Sequence, residues 1–116
     1  MAVTLIMRVP ELTLDRYDAM MAGLGLDSNP PPGMIFHVAS ESVGAVNILE
    51  VWQTSQAAES FTEGRLREAL AGQKVKDPLA YRIEQLHNMW AADFDMIERI
   101  GATSLPADVA RSALAS

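Results

Sequence analysis

Cysteine is absent from the chain, which excludes disulfides, thiolate nucleophiles and cysteine-ligated metals. Long apolar runs are absent too. None approaches the ~18 residues that a membrane-spanning helix needs, so no membrane partner is expected. Positive charge is scarce: nine Lys and Arg stand against fifteen Asp and Glu, a formal charge of −6. Such a surface repels phosphate backbones and argues against nucleic acid as a partner. The opening M-A-V-T-L-I-M-R lacks the basic start and long apolar core of a signal peptide, so the expected compartment is the cytoplasm. No G-x-S-x-G elbow and no glycine-rich loop after a strand supply a motif for nucleophilic or nucleotide chemistry.

What is present is an ordinary globular composition, 49% hydrophobic and 21% charged over 116 residues. That is one domain's worth of chain, long enough to bury a core without staples. The organising stretch runs from Val46 to Leu70. V-N-I-L-E-V-W-Q alternates and is rich in β-branched and aromatic residues, a strand pattern. T-S-Q-A-A-E-S-F-T-E-G-R-L-R-E-A-L then opens a helix with Ser55 as its N-cap and Ala58, Phe61, Thr62, Leu66 and Ala69 on one stripe.

Around it, Ala2 to Val9 reads as a strand that Pro10 ends. Thr13 caps a helix to Leu24, with Leu14, Tyr17, Met21 and Leu24 on its stripe and Gly25 as its left-handed stop. D-S-N-P-P-P-G at 27–33 is a stiff connector or a ligand-recognition loop. Met34 to Ser40 and Ala45 to Thr54 form a hairpin. With Ser40 opposite Ala45, Met34, Phe36 and Val38 share a face with Asn47, Leu49 and Val51, which is expected to lie under the helices. Ile35, His37 and Ala39 share the other with Ile48, Glu50 and Trp52. Gly64 interrupts the second helix, which ends near Gln73. A loop at 72–78 leads to a fourth strand from Leu79 to about Trp90. Residues 1–90 thus make the domain, and 91–116 a short helical extension, with helices expected at Ala92–Ile100 and after Ser104.

The order β-α-β-β-α-β predicts a ferredoxin-like α+β fold, a four-stranded antiparallel sheet with two helices on one face. The other face, carrying Ile6, Ile35, Ile48 and Trp52 in that register, has no cover within the chain. A second copy packing sheet on sheet is the simplest remedy, giving a homodimer through the open face.

G-M-I-F-H-V-A, V-N-I-L-E-V-W-Q-T-S-Q-A-A-E-S-F and R-L-R-E-A-L, with the P-P-P-G lead-in and the late R-I-E-Q-L-H-N, resemble the dimeric α+β barrel superfamily. More narrowly, they resemble its antibiotic-biosynthesis-monooxygenase-like members over Val3 to Asn88. The resemblance implies a homodimer with a pocket between each sheet and its helices or in the barrel, and the expected occupant is a small aromatic or polyketide-like molecule. It does not imply one reaction, since members include cofactor-free oxygenases, isomerases, haem-degrading enzymes and proteins without known activity.

Among candidate residues, His37 beside Glu50 is a general-base pair, the carboxylate orienting the ring and raising its basicity. Cofactor-free oxygenation needs such a base to make a carbanion-like anion that passes an electron to O₂. Trp52 can stack on an aromatic substrate. The plainer alternative pairs His37 and Glu50 at a dimer interface with Trp52 as an apolar anchor. His87 is a second candidate base or a satisfied strand histidine. Arg8, Tyr17 and Tyr81 are available to orient an acidic or phenolic ligand. His37, Glu50 and His87 formally make a two-histidine, one-carboxylate set, but without close ligand spacing, so neither metal nor any other cofactor is expected. The rival functions are a non-oxidative isomerase or cyclase, a ligand carrier, and a plain dimerisation module.

Overall fold

The computed structural model describes residues 1–75 and 79–97. In order, they form β1 (Val3–Pro10), α1 (Leu14–Leu24), β2 (Met34–Ser42), β3 (Ala45–Trp52), α2 (Ser55–Phe61), a π-turn (Thr62–Leu66), α3 (Arg67–Gly72), β4 (Tyr81–Gln85) and the short α4 (Phe94–Ile97). The strands make one antiparallel sheet in the order β2-β3-β1-β4. This is the ferredoxin-like α+β arrangement expected from the element order. No helix among the described residues is long and apolar enough to cross a membrane.

Local chemistry explains the boundaries. Thr13 caps α1, its hydroxyl accepting from the Arg16 amide at 3.2 Å, and Gly25 ends it at φ 59°, a left-handed stop that costs glycine little. The second helix is capped by Thr54 rather than Ser55: Thr54 is extended, and its hydroxyl accepts from the Ala57 amide at 3.1 Å. That helix continues to Gly72 through right-handed backbone, but its middle turn is widened into the π-turn that contains Gly64. The fourth strand is shorter than its apolar pattern suggests, ending at Gln85. The expected helix from Ala92 is seen over Phe94–Ile97, while the one after Ser104 lies outside the described residues.

The core lies between the sheet and the helices. Val3, Leu5, Met7 and Val9 of β1 and Val46, Ile48 and Trp52 of β3 pack against Tyr17, Met20 and Met21 of α1 and against Ala58, Phe61, Leu66 and Leu70. The hairpin turn is two residues tighter than expected, pairing Ser42 with Ala45 and Ser40 with Asn47. A two-residue shift preserves which residues share a face, so the sets stand as read from Phe36 onward, but the bulge between Met34 and Phe36 moves Met34 out of its expected set, opposite Trp52 and against the core. Their sides are exchanged, however. His37, Glu50, Ile48 and Trp52 lie beneath the helices, and Phe36, Val38, Leu49 and Val51 lie with Ile6 on the uncovered face.

The 27–33 loop is pinned across one end of this core. The Gln53 amide donates to the Gly33 carbonyl at 2.8 Å, and the Arg65 guanidinium donates to the Leu24 and Asn29 carbonyls, each at 3.0 Å. Gly33 sits at φ 87°, and a Cβ there would come within 2.9 Å of the Ala57 Cβ, so only glycine lets the loop approach α2 this closely.

Candidate functional site

β3 supplies the anchor. Glu50 points into the core between Ile48 and Trp52 and is 1% exposed. A carboxylate at that depth is costly unless its oxygens are satisfied. Both are: Trp52 Nε1 donates to Oε1 at 3.0 Å, and His37 Nδ1 lies 2.8 Å from Oε2. His37 is directly opposite Glu50 on β2, not diagonal to it as the looser register implied. α1 crosses above and brings down Tyr17, whose hydroxyl lies 2.6 Å from His37 Nε2. The two rings are 15° from parallel, with centroids 6.1 Å apart. Trp52 in turn packs on Phe61 at 5.4 Å, and the Arg65 guanidinium lies over the Phe61 ring.

One assignment of protons pairs every donor in this network with an acceptor. The indole can only donate, so Glu50 accepts there. A neutral His37 carrying its proton on Nδ1 donates to Glu50 and leaves Nε2 to accept from the Tyr17 hydroxyl. Every polar atom of the four side chains that the network uses then has a partner. Burial raises the Tyr17 phenol above its ordinary value, and the negative charges of Glu50 and Asp18 add to the effect. Tyr17 is therefore a hydroxyl donor at neutral pH, not a phenolate.

This shift has a consequence for stability. The unfolded chain releases the Tyr17 proton above about pH 10 while the folded chain holds it, so folded stability is intact below that pH and declines above it. The slope is at most ~1.4 kcal/mol per pH unit for this one group. Tyr81 is shifted the same way, by burial first and then by its bond to Glu63. Denaturant unfolding between pH 9 and 11.5 is expected to show the decline in wild type and a visibly shallower one in Tyr17→Phe.

The other candidates lie elsewhere. Arg8 is exposed on the uncovered face, its guanidinium donating to the Val43 carbonyl at 3.3 Å. Tyr81 donates to Glu63 at 2.9 Å in a surface cluster with Arg67. There the Arg67 and Tyr81 hydrogen bonds hold the Glu63 carboxyl below its usual value. His87 is exposed just past β4, the edge strand opposite to β2. Three strand spacings separate those edges, roughly 14 Å, so His37, Glu50 and His87 do not form one ligand set. Among the described residues, no group of three or more acidic or histidine side chains is placed to hold a metal ion.

Tyr17 is the member whose role was hardest to see. Its place on the α1 stripe marks it as buried, and a buried tyrosine needs a partner for its hydroxyl, yet only the tertiary crossing names His37. Thr62 is also unforeseen in this respect: its buried hydroxyl has no partner in the π-turn. The site reaches solvent at one margin. Tyr17 is 6% exposed and the His37 side chain 15%, under α1 on the edge strand β2, beside the bulge at Ile35. Two shallow concavities, one lined by Val3, Thr54 and Ile83 and one by Met20, Leu24 and Arg65, are both lined by other residues.

Comparison with known proteins adds the fold. No protein-family model and no curated protein sequence matches the chain. Solved structures do. A candidate antibiotic biosynthesis monooxygenase from Chloroflexus aurantiacus superposes with a TM-score of 0.55 at 19% identity, covering 80% of this chain and 100% of that one. SnoaB, a cofactor-independent oxygenase from Streptomyces nogalater, gives 0.56 at 15% identity, with 76% and 95% covered. A candidate antibiotic biosynthesis monooxygenase from Bordetella bronchiseptica gives 0.56 at 16%, with 75% and 98% covered. The chain has the fold of the antibiotic-biosynthesis-monooxygenase-like proteins, in keeping with the resemblance carried by its residues.

Proposed function

We propose that this protein is a cofactor-free monooxygenase for a small aromatic or polyketide-like molecule, with His37 as its base. The observation that carries the reading is the Glu50–His37 pair, buried beneath α1 and held by Trp52. Burial strengthens the attraction between an imidazolium and its carboxylate. Removing a proton from an acidic CH₂ or phenol is thereby made easier, as the charge that develops on His37 is met at once by Glu50. The resulting anion passes one electron to O₂. The radical pair combines to a peroxide, and loss of water from CH–OOH gives the ketone: CH₂ plus O₂ becomes C=O plus H₂O. SnoaB, similar in fold, is a cofactor-independent oxygenase, which supports this assignment over a cofactor-dependent one. Oxygen consumption with an anthrone-type substrate, compared in wild type and His37→Ala, is the test.

The enclosure of Trp52 and Glu50 favours a second reading. A base so shielded equally serves a non-oxidative isomerase or cyclase, or secures a ligand-binding protein without turnover. Conversion of substrate without oxygen uptake would select the former.

A homodimer belongs to the same proposal. Ile6, Leu49 and Val38 lie side by side across β1, β3 and β2 on the face the helices leave bare, with Phe36 in the next row beside Val51, which is already buried. Val38 and Leu49 are each 40% exposed, an apolar surface suited to a second copy. A solution mass near twice 12.6 kDa is expected, and Leu49→Glu is expected to reduce it to that of one chain. The unit that pairs is the domain of residues 1–90 with its extension from 91.

A further inference from the structure

We infer that Tyr17, not the His37 ring itself, is the group that touches the substrate and takes its proton, so that the base works as a Tyr17–His37–Glu50 relay. The inference rests on the proposed base chemistry and adds the route. Both nitrogens of His37 are occupied, Nδ1 by Glu50 at 2.8 Å and Nε2 by the Tyr17 hydroxyl at 2.6 Å. No lone pair of the ring remains to meet a substrate. The Tyr17 oxygen, by contrast, spends its hydrogen on Nε2 and keeps acceptor capacity. Tyr17 is 6% exposed and the His37 side chain 15%, so the pair lies just beneath the surface under α1.

The step balances in one movement. The substrate C–H bond breaks, its proton going to the Tyr17 oxygen and its electron pair remaining on the substrate carbon. The original Tyr17 proton passes to Nε2, and His37 becomes an imidazolium facing the Glu50 carboxylate. Tyr17 is a phenol before and after. That is the form its buried setting beside Glu50 favours, so the two transfers must be concerted rather than pass through a free phenolate. The exposed margin of His37 lets its new proton exchange with water.

Anthrone under argon in D₂O separates this route from the later oxygen chemistry, because NMR reads exchange of its C10 hydrogens directly. Wild type is expected to catalyse that exchange. Tyr17→Phe, and Tyr17→Met as a second apolar replacement, are expected to slow it by about 10²–10⁴-fold with KM changed less than about threefold, on samples whose near-ultraviolet circular dichroism shows native packing. His37→Ala is expected to match them. Exchange at or above the wild-type rate in either folded Tyr17 variant overturns the relay, since the freed Nε2 would then be the base. Wild type that exchanges under argon but consumes no oxygen in air keeps the relay and rejects the oxygenase reading. Wild type that does not exchange overturns the relay.

Discussion

Replacing His37 with alanine is expected to lower oxygen uptake with an anthrone-type substrate by about 10²–10⁴-fold, the usual contribution of a positioned base. The substitution removes the ring that bridges Tyr17 and Glu50 and holds the proton between them. It also leaves the buried Glu50 with Trp52 as its remaining donor and the Tyr17 hydroxyl with none, so some stability is lost as well. The kinetic effect must therefore be read on folded protein. Two comparisons isolate it. His87→Ala is expected to stay within about twofold of wild type, because His87 is exposed beyond the opposite edge of the sheet. An effect of base loss on kcat should exceed any on KM, since His37 acts on the developing charge rather than on binding. Wild-type rates in His37→Ala would reject His37 as the base.

The fold was legible because its signals are local. The Thr13 and Gly25 caps, the alternation of β1 and β3, and the helical stripe through Ala58, Phe61, Thr62 and Leu66 each depend on a few adjacent residues and are seen, with Leu70 rather than Ala69 as the buried end of the stripe. What the sequence hid was tertiary. Alternation divided the hairpin into two sets but did not say which set the helices cover. Phe36, Val38, Leu49 and Val51 are the more apolar set and read as interior, yet they lie on the uncovered face. The rule that the greasier side goes inward fails when both sides are apolar. Here β1 and β3 carry apolar side chains on both faces, so composition alone does not choose the side that the helices cover. His37 and Glu50 look like surface residues for the same reason. Only the crossing of α1 over β2, which no local signal encodes, reveals that Tyr17 and Trp52 pay their desolvation with hydrogen bonds. The π-turn was equally hidden, marked in sequence by nothing beyond Gly64.

Glu50 provides the sharpest separation between holding the fold and running the chemistry. Glu50→Ala is expected to cost about 3–5 kcal/mol, because it strands the His37 and Trp52 donors in the interior and opens a cavity beside Leu5. At about 4–8 °C per kcal/mol for a domain of roughly this size, the melting temperature should fall on the order of 12–40 °C. Glu50→Gln keeps the shape and should keep most of the stability, but it cannot accept from both donors at once. With its oxygen turned to Trp52, its NH₂ faces His37 Nδ1, and the imidazole relieves the clash by moving its proton to Nε2. That nitrogen then donates to Tyr17 instead of accepting from it, and the direction of proton flow is reversed. A folded Glu50→Gln protein should therefore lose about 10²-fold or more in turnover, with ¹⁵N NMR showing His37 in the opposite tautomer. Full activity in that variant would mean that the buried network serves packing alone.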